Sequence, residues 1–238
     1  EVAGLLRRYV VRGAVAGNRF ASFTATFWNW CRSEGLTESN PFDMMGERQT
    51  LPGGTEASRE RILTDDEIRA LWSADHQHAP LLRALLLTGC RISELQKAAV
   101  AHVDGDWLSI PAEHSKNGKA HRVYLTPETR KQFDDKAAPL LFNPTTPTAV
   151  QAWLKRHQSE LANAWKPHDL RRTFATLAGR AGVLPHVIVA LLNQTGTDER
   201  LSKTIGVYQR HDYADERKAA TLKVRDMIKG IATRRSAK

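Results

Sequence analysis

The sequence predicts a mainly α-helical protein with one small antiparallel β-sheet, an α+β fold. Three patterns carry that expectation. Apolar residues repeat at three- and four-residue steps over most of the chain. Two short strand-like runs flank an Asn-Gly pair. Glycines, prolines and hydroxyl residues stand where helices should stop and start.

Residues 18–34 read as the first clear amphipathic helix. Phe20, Phe23, Phe27 and Trp30 form one stripe, Asn18 stands where an N-cap belongs, and Gly35 marks the end. An aromatic stripe at this spacing is expected to face a core. Residues 1–42 are too few for a sound domain alone, and no initiator Met or secretory leader opens the chain. They are therefore expected to be the last helices of a domain that begins earlier in a longer protein. Residues 43–61, rich in Gly, Pro, Thr and charge, read as an interdomain linker. Residues 62–238 form the second domain.

That domain opens with Thr64-Asp65-Asp66-Glu67, which has capping-box spacing and precedes an apolar face of Ile68, Leu71 and Trp72. Residues 80–87 are a strongly apolar helix broken by Gly89, and residues 92–97 resume the helical pattern. Strands are expected at 107–110 and 121–125, with Asn117-Gly118 as the hairpin turn between them. Helices at 127–134, 148–162, 169–181, 185–192 and 213–231 complete the reading.

Composition removes several function classes. With 41% hydrophobic and 26% charged residues among 238, disordered, collagenous and low-complexity chains are excluded. The richest apolar run, 81–88, falls far below the ~18 residues of a membrane helix, so no membrane partner is expected. Cys31 and Cys90 supply neither a disulfide framework nor a zinc site, which suits a reducing, cytoplasmic compartment. His76 and His78 lack a third ligand at sensible spacing, so no metal or other cofactor is expected. The net charge of +9 favours a polyanionic partner, and residues 201–238 hold most of the excess, with 10 basic against 4 acidic side chains.

Four segments set cationic or nucleophilic groups beside helix ends. In Thr88-Gly89-Cys90-Arg91-Ile92-Ser93-Glu94-Leu95, Arg91 opens a helix after a glycine break, and Glu94 shares its face and can hold the guanidinium. Lys116 and Lys119 flank the Asn-Gly turn, where lysines commonly only solubilise. His168 and Arg171, three apart, project from one side of a helix's first turn. Tyr208 follows Gly206 in Gly206-Val207-Tyr208-Gln209-Arg210-His211-Asp212-Tyr213. Each has a bland alternative: a surface ion pair, a solvated turn or a buried small thiol at Cys90.

Taken together and in this order, the segments resemble the tyrosine recombinase, or phage integrase, family. The T-G-x-R-x-x-E-L box matches residues 88–95, the hairpin lysine matches Lys116 ahead of Lys119, the H-x-L-R box matches 168–171, and the nucleophile box matches Tyr208. Residues 208–213 look most like integrases of prophages and genomic islands. The resemblance spans about 62–220. It implies the family's catalytic-domain fold, preceded by the end of a helical core-binding domain that clamps DNA.

The resemblance also implies a reaction: site-specific cleavage and rejoining of double-stranded DNA through a covalent 3′-phosphotyrosine link, independent of metal and ATP, integrating or excising a mobile element. Tyr208 would attack the scissile phosphate. A phenol, with a pKa near ~10, is a better leaving group than a sugar hydroxyl, so the link stores energy for rejoining. Arg91 and Arg171 would fork the nonbridging oxygens. Lys116 would protonate the departing 5′ oxygen, and His168 would accept the tyrosine proton or orient the phosphate. His211 is a further candidate, supporting the site from behind, as Glu94 does for Arg91. The family's implied assembly is a homotetramer on two DNA sites, monomeric when free, with accessory DNA-bending proteins, in the cytoplasm of a bacterial host near the nucleoid.

One position departs from the pattern. Leu192-Asn193-Gln194 sets Gln194 where the family usually has a second histidine. Glutamine donates a hydrogen bond but neither carries charge nor shuttles a proton, so a weakened reaction is expected. Two other readings stay open here: a DNA-binding remnant or accessory without catalysis, and a monomeric relaxing topoisomerase of the same chemistry.

Overall fold

Gly13, at φ 125°, separates α1 (Val2–Val10) from α2 (Ala14–Ser33). In this computed structural model the chain divides into two compact units, Glu1–Arg59 and Glu60–Lys238. The structure describes residues 2–43, 54, 56, 60–157, 165–194 and 212–234.

The first unit corrects two expectations. Helix α2 starts four residues before the anticipated cap, because the glycine rather than Asn18 breaks the chain. Asn18 is buried inside the helix and donates from Nδ2 to the Gly54 carbonyl and to Glu56 Oε1, each at 3.0 Å. Gly35 does end the helix, its N–H donating to the Arg32 carbonyl at 3.1 Å. The aromatic stripe does not face a core: Phe23, Phe27 and Trp30 are 74%, 56% and 52% exposed. At 100° per residue these three lie opposite Gly17 and Ala21, the side that α1 covers. Only Phe20 joins the small cluster of Leu6, Ala21 and Phe42, stacking on Tyr9 at 4.0 Å.

In the second unit, the Thr64 hydroxyl accepts from the Glu67 N–H while Glu67 accepts from the Thr64 N–H, the expected capping box at the start of α3 (Asp65–Ser73). The Leu63 N–H donates to Thr173 Oγ1 at 2.9 Å and pins this entry to a later helix. Helix α4 (Ala79–Thr88) is apolar nearly all round, and Leu82, Ala84, Leu86 and Leu87 are fully buried. It is the central rod of the core; truncating one of its leucines to alanine should cost about 2–5 kcal/mol.

Gly89 ends that rod at φ 67°, and a Cβ there would sit 2.5 Å from the Phe174 ring, so both backbone and space demand glycine. Helix α5 (Ile92–Gln96) follows at once. The sheet has three antiparallel strands in order β1 (Val103–Asp104), β2 (Trp107–Ile110) and β3 (His121–Tyr124). Strand β1 is an addition to the sequence reading. Ile110 pairs with His121, leaving residues 111–120 as the connection between the two strands. The expected turn lies at its tip, where the Gly118 N–H donates to the Ser115 carbonyl at 3.1 Å.

Helix α6 (Pro127–Arg130) stops short of residue 134. Helices α7 (Pro147–His157), α8 (Pro167–Arg180), α9 (Pro185–Leu191) and α10 (Ala214–Thr233) follow. Helices α8 and α10 pack on α4, and with β2, β3, α7 and α9 they enclose one apolar core. No helix among the described residues is long and apolar enough to cross a membrane.

Candidate active site

The Gly89 break turns the chain so that Arg91 becomes the residue before α5, with its backbone extended at φ −76° and ψ 147°. Glu94, one turn on, accepts from the Arg91 N–H at 2.7 Å through Oε2 and from Arg91 Nη1 at 2.7 Å through Oε1. Its side chain is wholly buried, while Arg91 keeps 19% of its side chain exposed. A buried carboxylate is tolerable only when paired, so Glu94 and Arg91 fix one another, as their spacing suggests. The residue between break and cation, Cys90, is buried, and burial pushes its thiol up to about 12, which keeps it unreactive.

Arg171 arrives from α8. Asp169, fully buried in the first turn, accepts from the Lys166 N–H at 2.9 Å and from Arg172 Nη1 at 2.9 Å, which orders the helix entry and engages Arg172 in an ion pair. Arg171 is 3% exposed. Its Nη1 donates to the Gly89 carbonyl at 2.8 Å, and its Nη2 donates to the Leu192 carbonyl. Among the described residues it makes no ion pair with a carboxylate. Burial, and then the Arg91 charge, bring its pKa down to about 10. The guanidinium stays protonated at neutral pH, but it is a buried cation facing a like charge. An anion between the two arginines would relieve both penalties.

His168 stands on the first turn of α8, exposed beside this pair. Desolvation by the surrounding protein, then the Arg172, Arg171 and Arg91 cations, lower its pKa against the opposing pull of Asp169. The ring is therefore neutral at pH 7 and able to accept a proton.

Lys116 is exposed in the turn of the 111–120 connection and has no hydrogen-bond or ion-pair partner among the described residues. Gln194 follows α9 at the exposed rim, its N–H donating to the Val189 carbonyl at 3.1 Å. Tyr208 and His211 lie outside the described residues. The described chain resumes at Asp212, whose carbonyl accepts from Arg217 Nη1 at 3.2 Å, and Arg217 Nη2 also reaches the Arg122 carbonyl of β3. The structure thus brings Arg91, Glu94, Arg171 and His168 to one place, and joins the Lys116 turn to the segment carrying Gln194.

Two residues escaped the sequence reading. His121, read only as the start of a strand, has both ring nitrogens buried without a hydrogen-bond partner, and its Nε2 lies 3.9 Å from Glu94 Oε2. Asn193, passed over for its neighbour, holds the Lys116 turn through its side-chain amide. Its one visible signal was an asparagine directly after a helix, where left-handed backbone is common.

Comparison with known proteins fits this geometry. Residues 61–214 match the phage integrase family, a span that includes Arg91, Lys116, His168, Arg171, Gln194 and Tyr208. Over 112 residues the chain is 31% identical to the tyrosine recombinase XerA of Saccharolobus solfataricus, covering 43% of this chain and 37% of the relative. Over 197 residues it is 25% identical to a tyrosine recombinase of Thermosipho africanus, covering 75% and 67%. The chain thus spans between about a third and two thirds of the curated relatives it matches. The fold resembles lambda integrase solved as a dimer bound to a COC′ core site, with TM-score 0.64, 16% identity and coverage of 82% and 78%. It resembles equally the lambda integrase tetramer bound to a Holliday junction, with TM-score 0.64, 16% identity and coverage of 83% and 64%. By its matched span and the convergence of its cationic residues, this chain belongs to the phage integrase family.

Proposed function

We propose that the chain is the catalytic part of a site-specific DNA recombinase that cuts and rejoins double-stranded DNA through a 3′-phosphotyrosine, integrating or excising a prophage or genomic island. One observation carries this reading above the rest: two arginines share one site, one of them buried with no carboxylate partner among the described residues, beside a histidine whose pKa is lowered by burial. That is a cradle for a phosphodiester in the act of gaining charge.

In the proposed reaction, Tyr208 Oη attacks phosphorus and its proton passes to neutral His168. The bond from phosphorus to the 5′ oxygen breaks, and Lys116 gives a proton to the leaving oxygen, freeing a 5′ hydroxyl. Arg91 and Arg171 hold the nonbridging oxygens throughout, with Glu94 steering Arg91 and Gln194 donating a hydrogen bond from the rim. His211 supports Tyr208. The reverse sequence rejoins the strand with no outside energy source.

Residues 1–42 belong, in this reading, to a DNA-clamping module, residues 43–61 link it, and residues 62–238 carry catalysis. The protein works as a homotetramer on paired DNA sites and is monomeric when free, with accessory DNA-bending proteins, in the bacterial cytoplasm near the nucleoid. Against a catalytically silent remnant stands the electrostatic cost of the cradle: a protein that only bound DNA would gain nothing from a buried cation facing another.

The test is a nicked suicide duplex selected from a randomised pool for covalent capture. The parent protein should form a denaturation-resistant protein–DNA adduct, and Tyr208→Phe should bind the same duplex and form none. A Tyr208→Phe variant that still formed the adduct would overturn the assignment of the nucleophile.

A further inference from the structure

We infer that Asn193 is a positioning residue for Lys116, locking the lysine-bearing turn to the segment that holds Arg171; this rests on the recombinase reading above. Asn193 stands after α9 at φ 44°, in the left-handed region that few side chains other than asparagine enter at low cost. From there its Nδ2 donates to Ser115 Oγ at 3.0 Å and to the Lys119 carbonyl at 3.0 Å, and lies 3.3 Å from Asn117 Oδ1. Asn117 Nδ2 answers by donating to the Asn193 carbonyl at 2.9 Å. Within the turn, Ser115 Oγ donates to Asn117 Oδ1 at 2.7 Å.

The pattern of these bonds is selective. Residues 115, 117 and 119 are all held, while Lys116 between them is exposed with its ammonium free of protein partners among the described residues. The residue before Asn193 is Leu192, whose carbonyl accepts from Arg171. Two consecutive residues therefore tie the buried phosphate cation to the turn that presents the proton donor, across more than seventy residues of sequence. Without that tie the 111–120 connection would present Lys116 in many arrangements. A general acid contributes only when its proton lies within hydrogen-bond reach of the leaving atom.

The experiment uses the full chain and a captured suicide duplex, in two versions. One has the ordinary 5′ oxygen at the scissile phosphate; the other has sulfur in that bridging position. With sulfur, the phosphorus–sulfur bond breaks and a thiolate departs that needs no proton, its conjugate acid having a pKa near ~8.5. Asn193→Gly keeps the backbone conformation and removes the amide. Asn193→Asp keeps the shape but replaces the donor with a carboxylate facing the Lys119 carbonyl and Asn117 Oδ1.

Both variants should lose about 10- to 100-fold in adduct formation on the oxygen substrate, the scale of a misplaced catalytic group. Both should approach the parent rate on the sulfur substrate, as Lys116→Ala should, while Arg171→Lys should stay slow on both. Equal losses on the two substrates would mean that Asn193 only supports the fold and would overturn the inference; so would parent-like cleavage of the oxygen substrate. If the parent captures no duplex of either kind, the recombinase reading itself fails, an outcome distinct from the other two.

Discussion

Arg171 and Lys116 are the two cations that the proposed site holds in opposite ways. Arg171 is buried, its guanidinium bonded to the Gly89 and Leu192 carbonyls, and its place is settled before any ligand arrives. Lys116 is exposed, and only the residues around it are tied down. The difference follows from the two groups' acid strengths. Burial brings Arg171 down to about 10, far above neutral pH, whereas the same desolvation would bring a lysine starting near ~10.4 down to about 8 and leave its charge much less secure. A fixed charge for phosphate can be arginine in the interior, while a proton donor must keep contact with water.

The comparison breaks most sharply by substitution at its two ends. Lys116→Ala should lower adduct formation by about 10²–10⁴-fold, the span of a general acid, with the unfolding midpoint unchanged. Arg171→Lys should lower it by about 10²–10³-fold and also destabilise the protein by about 1–3 kcal/mol, because one ammonium cannot satisfy two divergent carbonyls. Suicide-substrate kinetics and urea unfolding, run side by side, separate the outcomes. If Arg171→Lys kept full stability, its burial would not be a structural commitment and the contrast would fall.

Gln194 sharpens the same contrast from the rim, with a smaller effect. It follows Asn193 at the exposed edge, where a side chain can be exchanged without disturbing Arg171. Gln194→His should speed adduct formation by about 10-fold, the worth of one charge-assisted over one neutral hydrogen bond. The gain should be larger at pH 6 than at pH 8, as the added imidazole is charged below ~6.5. A variant no faster than the parent would show that this position does not limit the reaction.

How much of this was legible depended on whether the physics was local. The capping box at Thr64, the Gly89 break and the Arg91–Glu94 pair were readable because each is decided within four residues. The burial of α4 was readable for a related reason, since a helix apolar on every side has nowhere to go but the core. The aromatic stripe of α2 failed because periodicity reports that a helix has a face, not which face its neighbour covers. The extents of β2 and β3 were readable from their short apolar runs on either side of the Asn117-Gly118 turn, whereas β1, only two residues long, has no run to read. Asn193 and His121 were invisible for a deeper reason: their partners lie some 75 and 27 positions away, at Ser115 to Lys119 and at Glu94.

His121 supplies the smallest effect and a test of what the buried cradle costs. Glu94, Arg217, Arg171 and Arg91 all face it, and burial outweighs the attraction of Glu94, lowering its pKa to about 4. Between pH 6.5 and 4 the unfolded chain therefore takes up a proton that the folded chain refuses. Stability must rise with pH through that window and fall as the pH drops towards 4. One such group contributes about 2 kcal/mol between pH 7 and pH 5. His78 and His168 are shifted the same way and add to the slope. Replacing His121 with leucine removes one titration, and urea unfolding at the two pH values should show the acid-induced loss shrink by about that amount. An unchanged loss in His121→Leu would mean that the imidazole titrates alike in the folded and unfolded chain, and an enlarged loss would mean that it is already paired with Glu94 as a cation. In that second case the carboxylate would be shared between His121 and Arg91 rather than committed to the arginine.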